Sequence, residues 1–211
     1  MGISRAKSKA IAKSIIEINP RFELVIERSG FCTIGVIDSE SRRNESNFAS
    51  LASSILSQQL STKAAATIIG RVEQLSGGTL QATKLAEVKV AELRKSGCSN
   101  SKARAIQELA IATTTKAVPM QSLHKMTDEE IMDHLLPLFG IGRWTVEMFL
   151  MFQLGRQDIW PVGDLGVRRG WEKIHRMRSE ITPKKLESLG SSYSPYRSHV
   201  AWYCWRATEV L

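Results

Sequence analysis

The chain has 211 residues, of which 43% are hydrophobic, with a net charge of +8 and a pI near 9.6. This length and composition suit one compact domain, or two small lobes with a shared core. A basic protein of this size often binds a polyanion, most commonly nucleic acid, although charge alone does not distinguish such a protein from one that is merely basic.

Three cysteines, Cys32, Cys98 and Cys204, lie far apart in the sequence. This odd and sparse set indicates a reducing compartment and excludes a disulfide framework, a zinc site of usual spacing and an iron–sulfur centre. The basic N-terminus lacks the apolar run of a signal peptide, and no segment is apolar enough to span a membrane. We therefore expect a soluble intracellular protein, cytoplasmic (nucleoid) or nuclear, with no metal centre in its side chains.

The first two thirds of the chain show apolar residues mainly at helical spacing. The only strand candidate is a short segment around Phe31–Ile37. Helices are predicted at 46–59, at 82–95 and at 101–113, with a break at Gly97. Another predicted helix follows Ser61 and is ended by Gly77 and Gly78.

The last third begins with a capping-box pattern, Thr127 with Glu130, which predicts a helix from Asp128 towards Leu136. The elements predicted after it are a glycine turn at 140–142, a helix over Thr145–Leu154, a loop at 161–163, a helix from Asp164 to about Met177, a helix that Thr182-Pro183 begins, and a last helix from about Pro195. Helices joined by short loops indicate an all-α fold.

The turn Gly140-Ile141-Gly142 lies between two predicted helices. Two glycines this close permit a tight turn and leave backbone N–H groups uncovered beside the N-terminus of the next helix. Such a site suits a phosphate oxygen, and Arg143 would add positive charge. A lone G-x-G is weak evidence, because many helix turns use glycine only to reverse the chain.

The segment from Leu138 to Thr145 resembles the helix–hairpin–helix element of the HhH-GPD superfamily of DNA glycosylases, which often reads L-P-G-I-G-x-x-T-A. Phe139 stands where proline is common and Val146 where alanine is common. The resemblance implies that this hairpin holds a DNA backbone phosphate, and that its carbonyls are a possible site for Na⁺ or K⁺. The residues it places at the DNA are Gly140, Gly142, Arg143 and Thr145.

Asp164 follows a Pro/Gly loop and precedes an amphipathic segment, so by itself it is typical of a helix N-cap. The superfamily places its catalytic aspartate about twenty residues beyond the hairpin, in a pattern like D-x-x-P-x-D-D-x-G. Asp164 matches that position, whereas Asp158 matches the upstream acid, which we interpret as structural. A carboxylate there would stabilise the oxocarbenium-like charge that forms when an N-glycosidic bond breaks.

Trp144 stands two residues after the second hairpin glycine. Bifunctional members of the superfamily have a lysine there, which forms a Schiff base. The pattern G-I-G-R-W-T is instead similar to the branch of DNA-3-methyladenine glycosylase II, in which this tryptophan borders the base pocket. The resemblance therefore implies simple hydrolysis, although Trp144 could also be only a core residue.

The C-terminal segment from Pro195 to Trp205 is rich in aromatic residues. In the same branch, a tryptophan on this last helix stacks on the extruded base, and Trp205 fits its spacing, whereas Trp202 is interpreted as core. An alkylated purine is cationic, and a cation over an aromatic face gains roughly 0.5–2 kcal/mol. Met148 stands where the branch often has an aromatic residue, which predicts a roomier or less discriminating pocket.

The segment from Ile55 to Ser61 resembles the superfamily's I-x-x-Q-Q-[LI]-S signature, which lies at the DNA minor groove. An extruded base leaves a gap that a side chain must fill. The candidates, among which the sequence does not choose, are Gln58, Gln59, Leu60 and Ser61. Lys102 is expected to assist DNA docking or to cap a helix, and Arg168 and Arg169 to divide between phosphate contact and an ion pair.

The resemblance covers roughly residues 20 to 210 and implies two helical lobes with a cleft between them. The expected parts are a central lobe at about 46–135, a second lobe of about 1–45 with 145–211, and the hairpin at 136–145. The expected activity is that of a monomeric, monofunctional glycosylase that excises alkylated bases from double-stranded DNA without an organic cofactor. The alternatives are another specificity (uracil, deaminated or etheno bases) and a non-catalytic helix–hairpin–helix DNA-binding module.

Overall fold

The computed structural model describes residues 2–37 and 45–211. Over these residues the fold is all-α, as predicted, with no β-strand. The α-helices are α1 (Arg5–Ile18), α2 (Glu23–Ser29), α3 (Asn47–Ser57), α4 (Thr62–Leu75), α5 (Ala82–Leu85), α6 (Val90–Lys95), α7 (Asn100–Thr114), α8 (Asp128–Leu135), α9 (Arg143–Met148), α10 (Leu165–His175), α11 (Pro183–Gly190) and α12 (Arg197–Val210).

The described residues form two compact units, one made of 2–37 and 150–211 and the other of 45–149. None of the helices described here is long and apolar enough to cross a membrane. In the unit of 45–149, α7 packs against α3, α5 and α6, and α3 also packs against α4 and α9. Several helices begin at side-chain caps that the sequence shows, including Ser46, Thr127 and Thr182.

The core of the unit of 45–149 is built on the apolar face of α3, where Leu51, Ile55 and Leu56 are fully buried. These side chains recur at helical spacing, and burial of each contributes roughly 1.5–3 kcal/mol. The helix ends at Ser57, directly before the turn of residues 58–61. The buried face therefore fixes where that turn begins.

The other unit is built on the packing of α10 against α12, with α1 and α2 also packed on α12. The two helices approach so closely that a Cβ at Gly170 would overlap the carbonyl oxygen of Cys204. Tyr203 of α12 is fully buried beneath them. This close packing brings the first turn of α10 beside the outer face of α12.

The strand candidate around Phe31–Ile37 does not form a strand. The segment makes one isolated bridge, between Ile3 and Val36, and otherwise consists of bends and turns. At the bridge, Gly35 and Ile37 bond to the backbone of Ile3, but other polar groups of the segment bond to side chains: the Cys32 carbonyl accepts from the Ser8 hydroxyl, and the Cys32 N–H donates to the Tyr203 hydroxyl. Side-chain partners of this kind satisfy an apolar segment without a sheet.

The helix predicted over Thr145–Leu154 has different bounds and a different form. The helix α9 begins at Arg143 and ends at Met148, and a π-helical turn occupies Phe149–Gln153. Such turns are rare and occur often at functional sites. Residues after Met148 therefore face in directions that regular α-helical spacing does not predict.

Candidate active site

Asp164 is the N-cap of α10, as its sequence context predicted. Its Oδ1 accepts the backbone N–H of Val167 at 2.8 Å. The same oxygen accepts the indole N–H of Trp205, with Nε1 at 2.9 Å. The positive end of the α10 dipole also favours a negative charge at this point. The carboxylate is thus held by a backbone donor and by a side-chain donor from α12.

The approach of Trp205 to Asp164 depends on the absence of a side chain at Gly166. A Cβ there would lie 2.8 Å from Trp205 Cδ1 and 3.1 Å from Asp164 Oδ1. Burial and the nearby charge of Asp164 raise the pKa of the Cys204 thiol, which favours its neutral form.

Phe152 is an aromatic neighbour of Trp205 that the sequence reasoning missed. Its ring lies 5.6 Å from the Trp205 ring at an interplanar angle of 32°, and 57% of the residue is exposed. Phe152 lies in the π-helical turn, so helical spacing gave no signal that it faces Trp205. Exposed aromatic surface of this size beside a carboxylate is suited to contact a flat organic group.

Asp158 has the structural role that was predicted for it. Its carboxylate forms a two-point ion pair with Arg197, at 2.8 and 2.9 Å, and accepts the Ser194 hydroxyl at 2.8 Å. Burial alone would raise the pKa of Asp158, but these hydrogen bonds together lower it. The carboxylate therefore fixes the beginning of α12, the helix that carries Trp205.

The hairpin turn in the unit of 45–149 requires glycine at one of its two glycine positions. Gly140 has φ +80°, and a Cβ there would lie 2.7 Å from the Ala105 Cβ. Gly142 is the N-cap of α9 and makes no side-chain cap hydrogen bond, and open space surrounds its Cα. Arg143 pairs with Glu147 at 3.5 Å and is otherwise largely exposed.

The turn of residues 58–61 is tied to this hairpin through Gln58. Its amide nitrogen donates long hydrogen bonds to the Gly140 carbonyl, at 3.3 Å, and to Thr145 Oγ1, at 3.4 Å. Three of the predicted DNA-binding residues are thereby brought together. Gln59, with φ +57°, and Leu60, 38% exposed, follow at the tip of the turn.

Ser61 caps α4, since its hydroxyl accepts the N–H of Ala64 at 3.3 Å. Lys102 also caps a helix, which was one of its two expected roles. Its Nζ donates to the carbonyls of Leu56, at 2.8 Å, and Gln58, at 2.6 Å, at the C-terminal end of α3. Burial lowers the pKa of this amine.

The remaining predicted site residues lie on α9 and α10. Trp144 is 47% exposed and Met148 is half-buried. Arg169 pairs with Glu172 and Glu180, at 3.2 and 2.5 Å, and so takes the ion-pair role predicted for one of the two arginines. Arg168 lies half-buried in the first turn of α10, and its contact with phosphate stays a prediction. Nowhere in the described ranges do three His, Cys, Asp or Glu residues form a cluster suited to a metal ion.

Residues 52–195 match the family described as HhH-GPD superfamily base excision DNA repair protein. The chain is 31% identical to DNA-3-methyladenine glycosylase 1 of Schizosaccharomyces pombe over 159 residues, which cover 74% of this chain and 70% of that protein.

Two solved structures have a similar fold. A 3-methyladenine DNA glycosylase of S. pombe in complex with abasic DNA superposes with a TM-score of 0.81 at 26% identity, covering 95% of this chain and 97% of the other. A DNA-3-methyladenine glycosidase of Bacillus halodurans superposes with a TM-score of 0.80 at 34% identity, covering 93% of this chain and 88% of the other.

Proposed function

Because this chain belongs to the HhH-GPD superfamily of base excision DNA repair proteins, we propose that it is a monofunctional DNA glycosylase for alkylated bases. It hydrolyses the N-glycosidic bond of alkylated purines, such as 3-methyladenine and 7-methylguanine, in double-stranded DNA and leaves an abasic site. It acts as a monomer in the compartment that holds the DNA, the bacterial nucleoid or the nucleus. The observation that carries this proposal is the carboxylate of Asp164, held by Val167 and Trp205 at the N-terminus of α10.

The proposed role of Asp164 is electrostatic and positional. As the bond between C1′ and the base nitrogen breaks, its electron pair leaves with the base and positive charge grows on the sugar. A fixed anion stabilises that charge and orients or deprotonates the water that attacks C1′. Because the two donors on Oδ1 belong to the scaffold, the carboxylate is in place before the reaction begins.

The preference for alkylated purines follows from their charge. Alkylation at N3 of adenine or N7 of guanine makes the base cationic, so it leaves as a neutral molecule and needs little further assistance. Trp205 and Phe152 present aromatic surface to such a base, and a cation over an aromatic face gains roughly 0.5–2 kcal/mol. Trp144 and Met148 are proposed as base-pocket residues from the resemblance of the sequence alone.

The proposed reaction is hydrolysis and not strand cleavage. A Schiff base would need an amine immediately after the hairpin, and Trp144 occupies that position. The indole of Trp144 has no nucleophilic amine, so water is the nucleophile. The expected product is therefore an abasic site in an intact strand.

The DNA contacts are proposed to lie on two groups of residues. The hairpin, with Arg143, holds a backbone phosphate, and Arg168 contacts a second. The side chain of Thr145, predicted at the DNA, is instead buried and accepts from Gln58. The turn of 58–61 enters the minor groove. The hairpin carbonyls are also proposed to hold Na⁺ or K⁺, for which oxygen ligands are suited. The carbonyl of Gly140 supports this role, because the hydrogen bond that it accepts from Gln58 is long, at 3.3 Å, and a carbonyl oxygen has two lone pairs.

A base-release assay tests the proposal. Duplexes that contain 7-methylguanine, 3-methyladenine, uracil or 1,N⁶-ethenoadenine are incubated with the protein and with Asp164→Asn. We expect release of the free alkylated purines from an intact strand by the wild type, and loss of that release in the variant. Release that persists in Asp164→Asn would contradict the role of the carboxylate. A borohydride-trapped covalent complex would contradict the hydrolytic mechanism, and DNA binding without base release would favour a binding module.

A further inference from the structure

Lys102 lies where α7 itself gives no reason for a cation. It is the third residue of α7, and positive charge is unfavourable near a helix N-terminus. Burial also lowers the pKa of its amine, which means that the charged form loses hydration there. Both effects cost stability, so the contacts that Lys102 makes with other elements must account for its position.

Those contacts are with the end of α3. The last carbonyls of a helix have no partner within the helix. Lys102 Nζ donates to two of the carbonyl oxygens at this end, those of Leu56 at 2.8 Å and Gln58 at 2.6 Å. Hydrogen bonds from a charged donor are roughly twice as strong as neutral ones.

We propose that Lys102 is a positioning residue, which holds the turn of 58–61 in the conformation that fills the gap left by an extruded base. The proposal rests on the proposed function, since it needs DNA at this turn. Gln58 is held at both ends, its carbonyl by Lys102 and its side-chain amide by the hairpin. The next two residues, Gln59 and Leu60, are exposed and extend from this fixed point.

The backbone at Gln59 supports the same assignment. Its φ of +57° is left-handed, a conformation that residues with a side chain rarely adopt. A strained residue persists only where its surroundings hold it in place. One of the two bonds from Lys102, that to the Gln58 carbonyl, acts directly on the residue before Gln59, and the lysine charge itself needs no contact with DNA to do so.

The test compares Lys102→Met, which keeps the length of the side chain without its charge, with Lys102→Arg, which keeps charge and donors. Lys116→Met is the matched control, because Lys116 is exposed just beyond the far end of the 15-residue α7. Single-turnover release of 7-methylguanine is measured from two duplexes. In one the lesion is opposite cytosine, and in the other it is opposite a stable abasic analogue, where no base pair has to be broken.

We expect Lys102→Met to slow release from the cytosine duplex by about tenfold to a hundredfold, the effect of losing bonds from a charged donor. The loss should be several-fold smaller opposite the abasic analogue, Lys102→Arg should recover most of the rate, and Lys116→Met should match the wild type. An equal loss on both duplexes would show a merely structural role and overturn the proposal, and so would no loss on either. Should Lys102→Met fail to fold, Lys102→Gln against Lys102→Arg decides by the same comparison.

A second measurement separates this proposal from the proposed function. The fluorescence of 2-aminopurine beside the lesion rises when protein binding unstacks it, whether or not a base is released. A rise with the wild type that Lys102→Met lacks would support the positioning role even if no base were released. Equal rises with both proteins would overturn it even if the wild type released bases normally.

Discussion

The hydrogen bond between Trp205 and Asp164 makes the most specific prediction. Its Nε1–Oδ1 distance is 2.9 Å, and the acceptor is a carboxylate. A hydrogen bond to a charged group contributes roughly 1.5–3 kcal/mol. If the carboxylate must be held in place during bond cleavage, loss of this donor slows base release by about tenfold to a hundredfold. The variant that tests this prediction is Trp205→Phe, which removes the donor and keeps an aromatic ring.

The assay is single-turnover release of 7-methylguanine from duplex DNA, which reports the chemical step without product release. Trp202→Phe is the matched control, because Trp202 lies one turn earlier on α12 and packs against Tyr203. We expect the control to retain a rate near that of the wild type. Benzothienylalanine at position 205 has nearly the size of tryptophan without its N–H, so it separates the hydrogen bond from base stacking.

A double-mutant comparison adds a structural measurement. The free energy of unfolding is measured for Trp205→Phe, for Asp164→Ala and for both together. The two changes should be less than additive, because either one alone removes the bond. A benzothienylalanine protein that releases the base at the full rate of the wild type would refute the role of the hydrogen bond. So would a Trp205→Phe variant whose rate of base release falls no more than that of Trp202→Phe.

Three further predictions concern Gly166, the hairpin glycines Gly140 and Gly142, and the buried His199. Gly166→Ala should slow base release as Trp205→Phe does, although alanine favours a helix by about 1 kcal/mol, because the new Cβ would lie 2.8 Å from the Trp205 ring; a full rate would contradict this. Gly140→Ala should weaken DNA binding and lower the unfolding temperature, since φ is +80° and Ala105 lies 2.7 Å from the added Cβ, whereas Gly142→Ala has room and should lower that temperature little. Burial lowers the pKa of His199 from 6.5 to about 4, so the unfolded chain binds the proton more tightly than the folded chain does. The free energy of unfolding should therefore fall by about 3 kcal/mol as the pH is lowered from 6.5 to 4. His199→Gln should reduce this pH dependence in thermal melts, and an unchanged pH dependence would contradict the assignment to His199.

Local signals predicted much of this fold. The caps at Thr127 and Asp164 were evident because a helix N-terminus needs a side-chain acceptor within a few residues along the chain. The strand candidate around Phe31–Ile37 did not form, because several of its backbone groups bond to side chains from distant parts of the sequence, among them Ser8 and Tyr203. Apolar spacing reports burial, but it does not report which groups satisfy the backbone.

The candidate site shows the same contrast between residues that local patterns identify and contacts that join distant parts of the sequence. Asp164 and Trp205 were named from a resemblance, but their hydrogen bond depends on the crossing of α10 and α12, which no spacing encodes. Phe152 escaped notice because the π-helical turn changes the direction of its side chain. The tie from Gln58 to the hairpin joins residues 82 positions apart. Contacts of this kind follow only from the packed structure.

The two interpretations of Asp164, helix cap and catalytic carboxylate, are compatible, and their combination makes Asp164→Asn a discriminating variant. Asparagine is about as good an N-cap as aspartate, so its amide oxygen can still accept from Val167 and Trp205. The variant should therefore retain the fold of α10 and the position of the side chain while it loses the negative charge. A loss of base release at an unchanged unfolding temperature would then be due to the missing negative charge that stabilises the sugar cation, and not to a displaced helix.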